Sequence, residues 1–464
     1  MNNWFLLLVF IFSTDAWRTI HKRGFLGFIG INEIEKNKKQ SIYNAFTKDG
    51  IIQGVFIDVD IEGNQIVIPI KHIIQTQKQQ WNFNFPTHIL TTFIHIIFQT
   101  ISFNRWNFLG TANTALFQDT QNRSYALYER DLPYEIIFDH KNHIISTGKR
   151  IQIPGIRTFS GHSKKRILPD TQEIVIDSID YDVLKQQVIH NVISGDMKSV
   201  IRKTIYPALY HPVVHDFYLI GGNESKLCWV DSPFTICLPK DSNHTGYDFP
   251  IGVDSSLPTF FHVGNETFYF ERGIAIFHIA FVSETKESYN IYTSIYENLH
   301  FSGDIKNISG TYCCIRLDRK NGDVKIFKNR DLISYNLDFP ILYELTMKVS
   351  PKDTDIRKQL VILRNIDYET KKMNGFIICD RLQIVKKLIY NTKNISGLGE
   401  PIILNDGNIP YLLFFVEQIR NELDKTDSNH SFMMKWNLLT GELESLSINI
   451  SMNIGFHSFW KDSP

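Results

Sequence analysis

Cysteine is scarce in this chain and follows no pattern. The five residues, Cys228, Cys237, Cys313, Cys314 and Cys379, are odd in number and irregular in spacing. That excludes a disulfide framework and a zinc knuckle, and buried thiols are preferred over a Cys228–Cys237 pair. Charge of one sign is missing as well. Lys+Arg and Asp+Glu number 49 each, so no basic surplus points to nucleic acid and no acidic tail is present. No stretch matches a P-loop, a Gly-x-Ser-x-Gly elbow or a Gly-x-Gly-x-x-Gly fingerprint. Long apolar runs are lacking too. The run Met1–Phe12, followed by Ser-Thr-Asp-Ala16, is too short to span a bilayer and suits a signal-peptide core. Residues 1–16 therefore read as a signal peptide and 17–464 as one domain, although no basic side chain precedes the run. On that reading the chain enters the secretory pathway; otherwise it is cytoplasmic or peripheral to a membrane. Eight Asn-x-Ser/Thr sequons agree with a glycoprotein, but the one at Asn265 is expected to be buried.

Hydrophobic residues make up 43% of the chain and aromatics 13%, with 34 Phe, ample for a large core. Residues 50–70 hold two β-rich runs around Glu62-Gly63-Asn64, a hairpin signal. The rhythm returns at 124–153 around Asp139–Asn142, at 301–328 around Lys320–Asp323, and at 359–388. Two more strands are expected at Tyr411–Val416 and Phe432–Trp436, separated by a charged loop. Short strands with polar turns every dozen residues read as an all-β sandwich, barrel or propeller, and no strict repeat selects among them. Residues 163–204 are polar, with Lys164-Lys165-Arg166, and read mostly as solvated loops and edge strands. Residues 86–103 instead place Ile89, Leu90, Phe93, Ile96, Ile97 and Phe98 at helical spacing. They form an apolar helix that either faces the core or dips into a bilayer interface.

The stretch Tyr206–Ile220 sets His215 before Asp216-Phe217. Three further histidines stand close to Phe or Gly: His162 in Phe159-Ser-Gly-His-Ser-Lys-Lys165, His262 in Thr259-Phe-Phe-His-Val-Gly-Asn265, and His457 in Asn453-Ile-Gly-Phe-His-Ser-Phe459. Taken singly, each is most simply a satisfied core histidine. Together, and in this order, they resemble motifs of the carotenoid cleavage oxygenases. A fifth match is Gly110–Leu116 followed by Tyr125–Tyr134, which contains Glu129. The likeness covers roughly residue 40 to the C-terminus.

The resemblance implies a seven-bladed β-propeller with an axial metal site, capped by loops and short helices. It implies one non-haem Fe(2+) held by His162, His215, His262 and His457, with Glu129 backing an imidazole. The implied reaction joins O2 to a carotenoid or apocarotenoid, an apolar polyene, and splits one C=C bond into two carbonyls. A stilbene-like substrate is the close variant. The segment 86–103 would touch a membrane peripherally, and nucleic acid has no part. Two departures count against full activity. Val361 stands where the family has a second supporting glutamate, and no glutamate occupies the place expected near Leu404–Gly407, where Asp406 is the nearest carboxylate. A catalytically weak or inactive propeller that binds an apolar ligand or partner is thus the competing reading, with iron occupancy below one equivalent.

Overall fold

The computed structural model describes residues 22–31, 49–62, 64–76, 110–129, 131–182, 185–210, 214–221, 225–236, 251–300, 308–347, 356–391, 395–406, 409–418, 430–448, 450–453 and 455–463. The expected signal peptide at 1–16, the apolar helix at 86–103 and Cys237 lie outside them. Nearly everything described is strand. The reversals between Val59 and Gln65, at Asp139–Asn142 and at Lys320–Asp323 fall where the polar clusters predict them.

The strands form seven antiparallel blades. The first blade contains β1 (Gly24–Ile31), β2 (Gly50–Val59) and β3 (Gln65–Ile73). The second runs β4 (Ala115–Gln118), β5 (Ser124–Leu127), β6 (Tyr134–Asp139) and β7 (Ile144–Arg150). The third runs β8 (Lys164–Ile167), β9 (Ile174–Asp182), β10 (Gln187–Ser194) and β11 (Val200–Pro207). The fourth is β12 (Tyr218–Ile220), β13 (Lys226–Asp231), β16 (Thr259–Val263) and β17 (Glu266–Phe270), interrupted by the hairpin β14 (Phe234–Ile236) and β15 (Ile251–Val253). The fifth is β18 (Ala275–Glu284), β19 (Ser288–Tyr296), β20 (Thr311–Asp318) and β21 (Val324–Phe327). A short helix α1 (Arg330–Ile333) leads to the sixth: β22 (Asn336–Met347), β23 (Ile356–Ile366), β24 (Met373–Asp380) and β25 (Gln383–Ile389). The seventh holds β26 (Ile395–Gly397), β27 (Ile402–Asp406), β28 (Ile409–Gln418), β29 (Ser431–Asn437) and β30 (Leu443–Ile448). The last strand, β31 (Gly455–Asp462), pairs with β1 and closes the ring from the opposite end of the chain.

Alternation explains why such a ring holds together. A strand buried on both faces sends successive side chains into two different layers, so it reads as a continuous apolar run. In β28, Leu412, Phe414 and Val416 pack toward the sixth blade, while Leu413 and Phe415 pack toward the first. The other five junctions between blades each have a core of the same kind. Around the axis the first strands touch one another: β31 meets β4 and β27, and β18 meets β12 and β22.

The stretch 163–204 departs from expectation, since it builds the whole third blade. Its charges are not merely solvated. Asp177, fully buried, lies 2.6 Å from Arg166 Nε and 2.7 Å from His190 Nε2, so a satisfied polar cluster sits inside that blade beside its apolar core. Cys228, Cys313, Cys314 and Cys379 are buried free thiols, as expected. Asn265, expected to be buried, is exposed in the β16–β17 turn.

One glycine tests the blade geometry. Gly375 in β24 has φ +145°, and a Cβ there would lie 1.9 Å from the Leu388 carbonyl oxygen. Gly375→Ala is predicted to cost at least about 2 kcal/mol, through backbone strain together with overpacking. Denaturant unfolding would show it as a lowered midpoint at unchanged slope; an unchanged midpoint would contradict the geometry.

Candidate metal centre

Four imidazoles converge near the propeller axis: His162, His215, His278 and His457. Each arrives on or just before the first strand of a blade. His162 precedes β8, His215 precedes β12, His278 lies within β18, and His457 lies within the closing strand β31, opposite Ile29 of β1. Their candidate ligand atoms all lie within 4.8 Å of one another. The Nε2 atoms of His162 and His215 are 3.1 Å apart. The rings stand edge to face, with His162 to His457 at 4.5 Å between centroids and His215 to His278 at 5.0 Å.

Three of the four rings have a carboxylate on their far side. His215 Nδ1 lies 2.8 Å from Glu129 Oε1. His278 Nδ1 lies 3.0 Å from both oxygens of Asp338. His457 Nδ1 lies 3.1 Å from Glu400 Oε2. The carboxylates are themselves held. Thr114 Oγ1 donates to Glu129 at 3.0 Å, Tyr296 donates its hydroxyl to Asp338, and the Ser458 N–H donates to Glu400 at 3.3 Å. Gly161 matters for the first pair, because a Cβ there would stand 2.6 Å from Glu129 Oε1.

With Nδ1 engaged by a carboxylate, each of these rings turns Nε2 inward. That is the tautomer a metal ligand requires. His278 Nε2 is buried and has no hydrogen-bond partner. Burial, then the neighbouring imidazoles of His457, His215 and His278, holds His162 far below its ordinary pKa, so its lone pair is available. Burial likewise lowers His278, against the opposing pull of Asp338. Burial disfavours ionised Glu129 and Asp338, yet His215 and His278 respectively keep both below the usual carboxylate range.

These residues fit a divalent cation. Neighbouring ligands on an octahedral ion with bonds of about 2.1 Å are separated by about 3.0 Å, close to the 3.1 Å seen here. Asp338 and Glu400 lie within electrostatic reach of the Arg364 guanidinium. The donor set alone, four imidazoles, suits Fe(II), Zn, Cu or Ni.

No family model and no curated protein matches the sequence. The fold, however, matches solved structures along nearly its whole length. A single-site mutant of Synechocystis apocarotenoid oxygenase superposes with a TM-score of 0.66 at 13% identity, over 95% of this chain and 93% of that one. The cobalt-substituted Synechocystis enzyme gives 0.64 at 14%, over 95% and 93%. An ACO/RPE65 chimera in a monoclinic crystal form gives 0.67 at 14%, over 96% and 93%. The chain has the apocarotenoid oxygenase fold.

Against that fold the site expected from sequence needs one correction and one addition. His162, His215 and His457 come together as expected, and Glu129 stands behind His215. His262 does not join them. It lies on β16, the third strand out from the axis in its blade, and adjacent strands are about 4.8 Å apart. Its ring stacks on Trp229 at 4.1 Å and its Nδ1 meets Thr267 Oγ1 at 3.1 Å, and burial pushes its pKa down to about 4. It is a core histidine. The fourth imidazole is that of His278. Its signal was available as a histidine breaking the apolar run Ile274–Ala280, with no flanking motif to mark it. The expected shortage of supporting carboxylates is also overturned. Asp338 serves on β22 although Val361 lacks a carboxyl group, and Glu400 reaches His457 where Asp406 had been the nearest candidate.

Proposed function

We propose that this chain is a non-haem Fe(II) dioxygenase that cleaves a C=C bond of a carotenoid or apocarotenoid into two carbonyl products. The observation that carries the reading is the set of four inward imidazoles, three of them backed by carboxylates, on a propeller axis. When bound, ferrous iron supplies the electronic route by which O2 reacts with an alkene. Both oxygen atoms end in the products, so no external reductant enters the balance. His162, His215, His278 and His457 would hold the ion, and Glu129, Asp338 and Glu400 would fix the orientation and tautomer of His215, His278 and His457. Beside the imidazoles lies a cavity walled by Phe277, Phe339, Phe456, Ile308 and Ile366. These side chains would seat the apolar body of a polyene by dispersion and burial.

The test is metal analysis of the full chain purified under anaerobic conditions with Fe(II), followed by β-apocarotenals or resveratrol under air. About one equivalent of tightly held iron is expected, in place of the sub-stoichiometric occupancy the sequence alone suggested. Two carbonyl products per O2 consumed are expected from the apocarotenal. Full iron occupancy with no cleavage of any conjugated alkene would refute the enzymatic reading. Cleavage of resveratrol alone would move it to stilbenes.

A further inference from the structure

The apolar cavity contains one charge that the iron chemistry does not use. Arg364 lies on β23, opposite Asp338 of β22, and its guanidinium lines the cavity. The guanidinium carbon stands 3.6 Å from the centre of the Phe339 ring. Its Nε is buried and donates to nothing. The two carboxylates nearby are engaged elsewhere: Asp338 with His278 and Tyr296, Glu400 with His457 and Ser458. A half-buried guanidinium facing an aromatic ring, with its buried Nε–H idle, is costly unless something fills it. Phe339, with φ +57°, occupies a backbone region that non-glycine residues rarely adopt, so the wall against which Arg364 lies is itself strained into place.

We propose that Arg364 is a specificity-determining residue of this cavity, binding a carboxylate carried by the apolar conjugated substrate. The inference rests on reading the cavity as the substrate chamber. A planar guanidinium presents its N–H groups as a fork that matches a carboxylate, and a charge-assisted pair in an apolar wall is strong and directional. Position adds a constraint. The Phe339 ring is 4.6 Å from that of His278, so the guanidinium carbon is within about 8 Å of the metal-facing imidazole. A carboxylate held there puts the alkene nearest the imidazoles only a few bonds from the acid end. The substrate class is therefore a conjugated acid cleaved near its carboxyl terminus, rather than a long hydrocarbon cut at its middle.

The experiment measures binding of all-trans-retinoate and all-trans-retinol, which share one carbon skeleton, by tryptophan fluorescence quenching. It uses the full chain as purified, with metal content measured, and again after chelation. Wild type is expected to prefer retinoate by at least about 10-fold, with or without metal. Arg364→Met should weaken retinoate by about 10–100-fold, the effect of losing a charged hydrogen-bonding partner, and leave retinol within about 2-fold. Arg364→Lys, which keeps the charge without the fork, should fall between and decides the matter if the Met variant fails to melt cooperatively. Equal losses for both ligands in the lysine variant, or a carboxylate preference that survives the Met substitution, would overturn the proposal. A preference that disappears on chelation would assign the carboxylate to the metal and also overturn it. A preference that persists in protein unable to hold iron would instead sink the dioxygenase reading and leave this one standing.

Discussion

If the axial cluster holds iron as proposed, replacing His278 by alanine is expected to abolish metal binding there, while replacing His262 is expected to spare it. His278 supplies one of four nitrogens within 4.8 Å of each other, and its Nε2 has no other partner. Outer partners of metal ligands typically cost 10–100-fold in affinity when removed, so losing a ligand itself should cost more than about 100-fold. His278→Ala would also leave Asp338 buried without its imidazole, which adds a stability penalty. His262 offers the contrasting control. It is just as buried, and its loss opens a hole against Trp229, so His262→Ala should lower stability by about 1–3 kcal/mol. Its ring is nonetheless separated from the axis by two strands of its own blade. The paired measurement is metal content per chain together with thermal midpoint. Loss of metal from the His262 variant with retention by the His278 variant would reverse the assignment.

The two histidines also show how far the sequence could be read. The hairpins were legible because turn chemistry and alternation are local: Asn, Asp and Gly mark the reversals at Glu62–Asn64 and Lys320–Asp323, and β-branched residues fill the runs between. His162, His215 and His457 were legible through the resemblance of their short Phe-, Gly- and Asp-containing motifs, in order, to the carotenoid cleavage oxygenases, since each alone reads as a core histidine. His262 carried the same outward marks, Phe before it and Asn three residues after. What separates it from His278 is the order of strands from the axis, and that order depends on pairings between segments far apart. Cα partners such as Trp229–His262 and Tyr296–Ala275 fix which strand lies innermost, and no local pattern reports them. The supporting carboxylates were obscured for the same reason. Asp338 lies 60 residues from His278 and Glu400 lies 57 from His457. The third blade was misread because its charges drew attention from the buried Val175, Ile176, Val188, Val192 and Ile193, and because Asp177, with Arg166 and His190, is itself buried among them.

Among the carboxylates behind the imidazoles, Asp338→Asn is expected to do the most harm. Asp338 meets His278 Nδ1 with both oxygens at 3.0 Å and takes the Tyr296 hydroxyl as well, so one group orients a ligand ring and is itself anchored. An amide there can offer only one acceptor. If its oxygen faces Tyr296, its NH2 confronts the Nδ1–H of His278 and drives the ring toward the tautomer whose proton points at the metal position. Removal of the charge also leaves the Arg364 guanidinium closer to electrostatic isolation and unbalances the site by one positive unit. Glu129→Gln and Glu400→Gln each keep one acceptor oxygen for a single imidazole contact and lose only the charge, so losses toward the lower end of the 10–100-fold range are expected for them and toward the upper end for Asp338→Asn. Metal affinity measured by competition with a chelator ranks the three. The decisive comparison is a double-mutant cycle. If Asp338 acts through the His278 ring, Asp338→Asn should cost almost nothing further once His278 is alanine, because the ring it orients is gone. Additive losses would mean that Asp338 holds the blade rather than the ligand, and the tautomer argument for all three carboxylates would lose its best-resolved case.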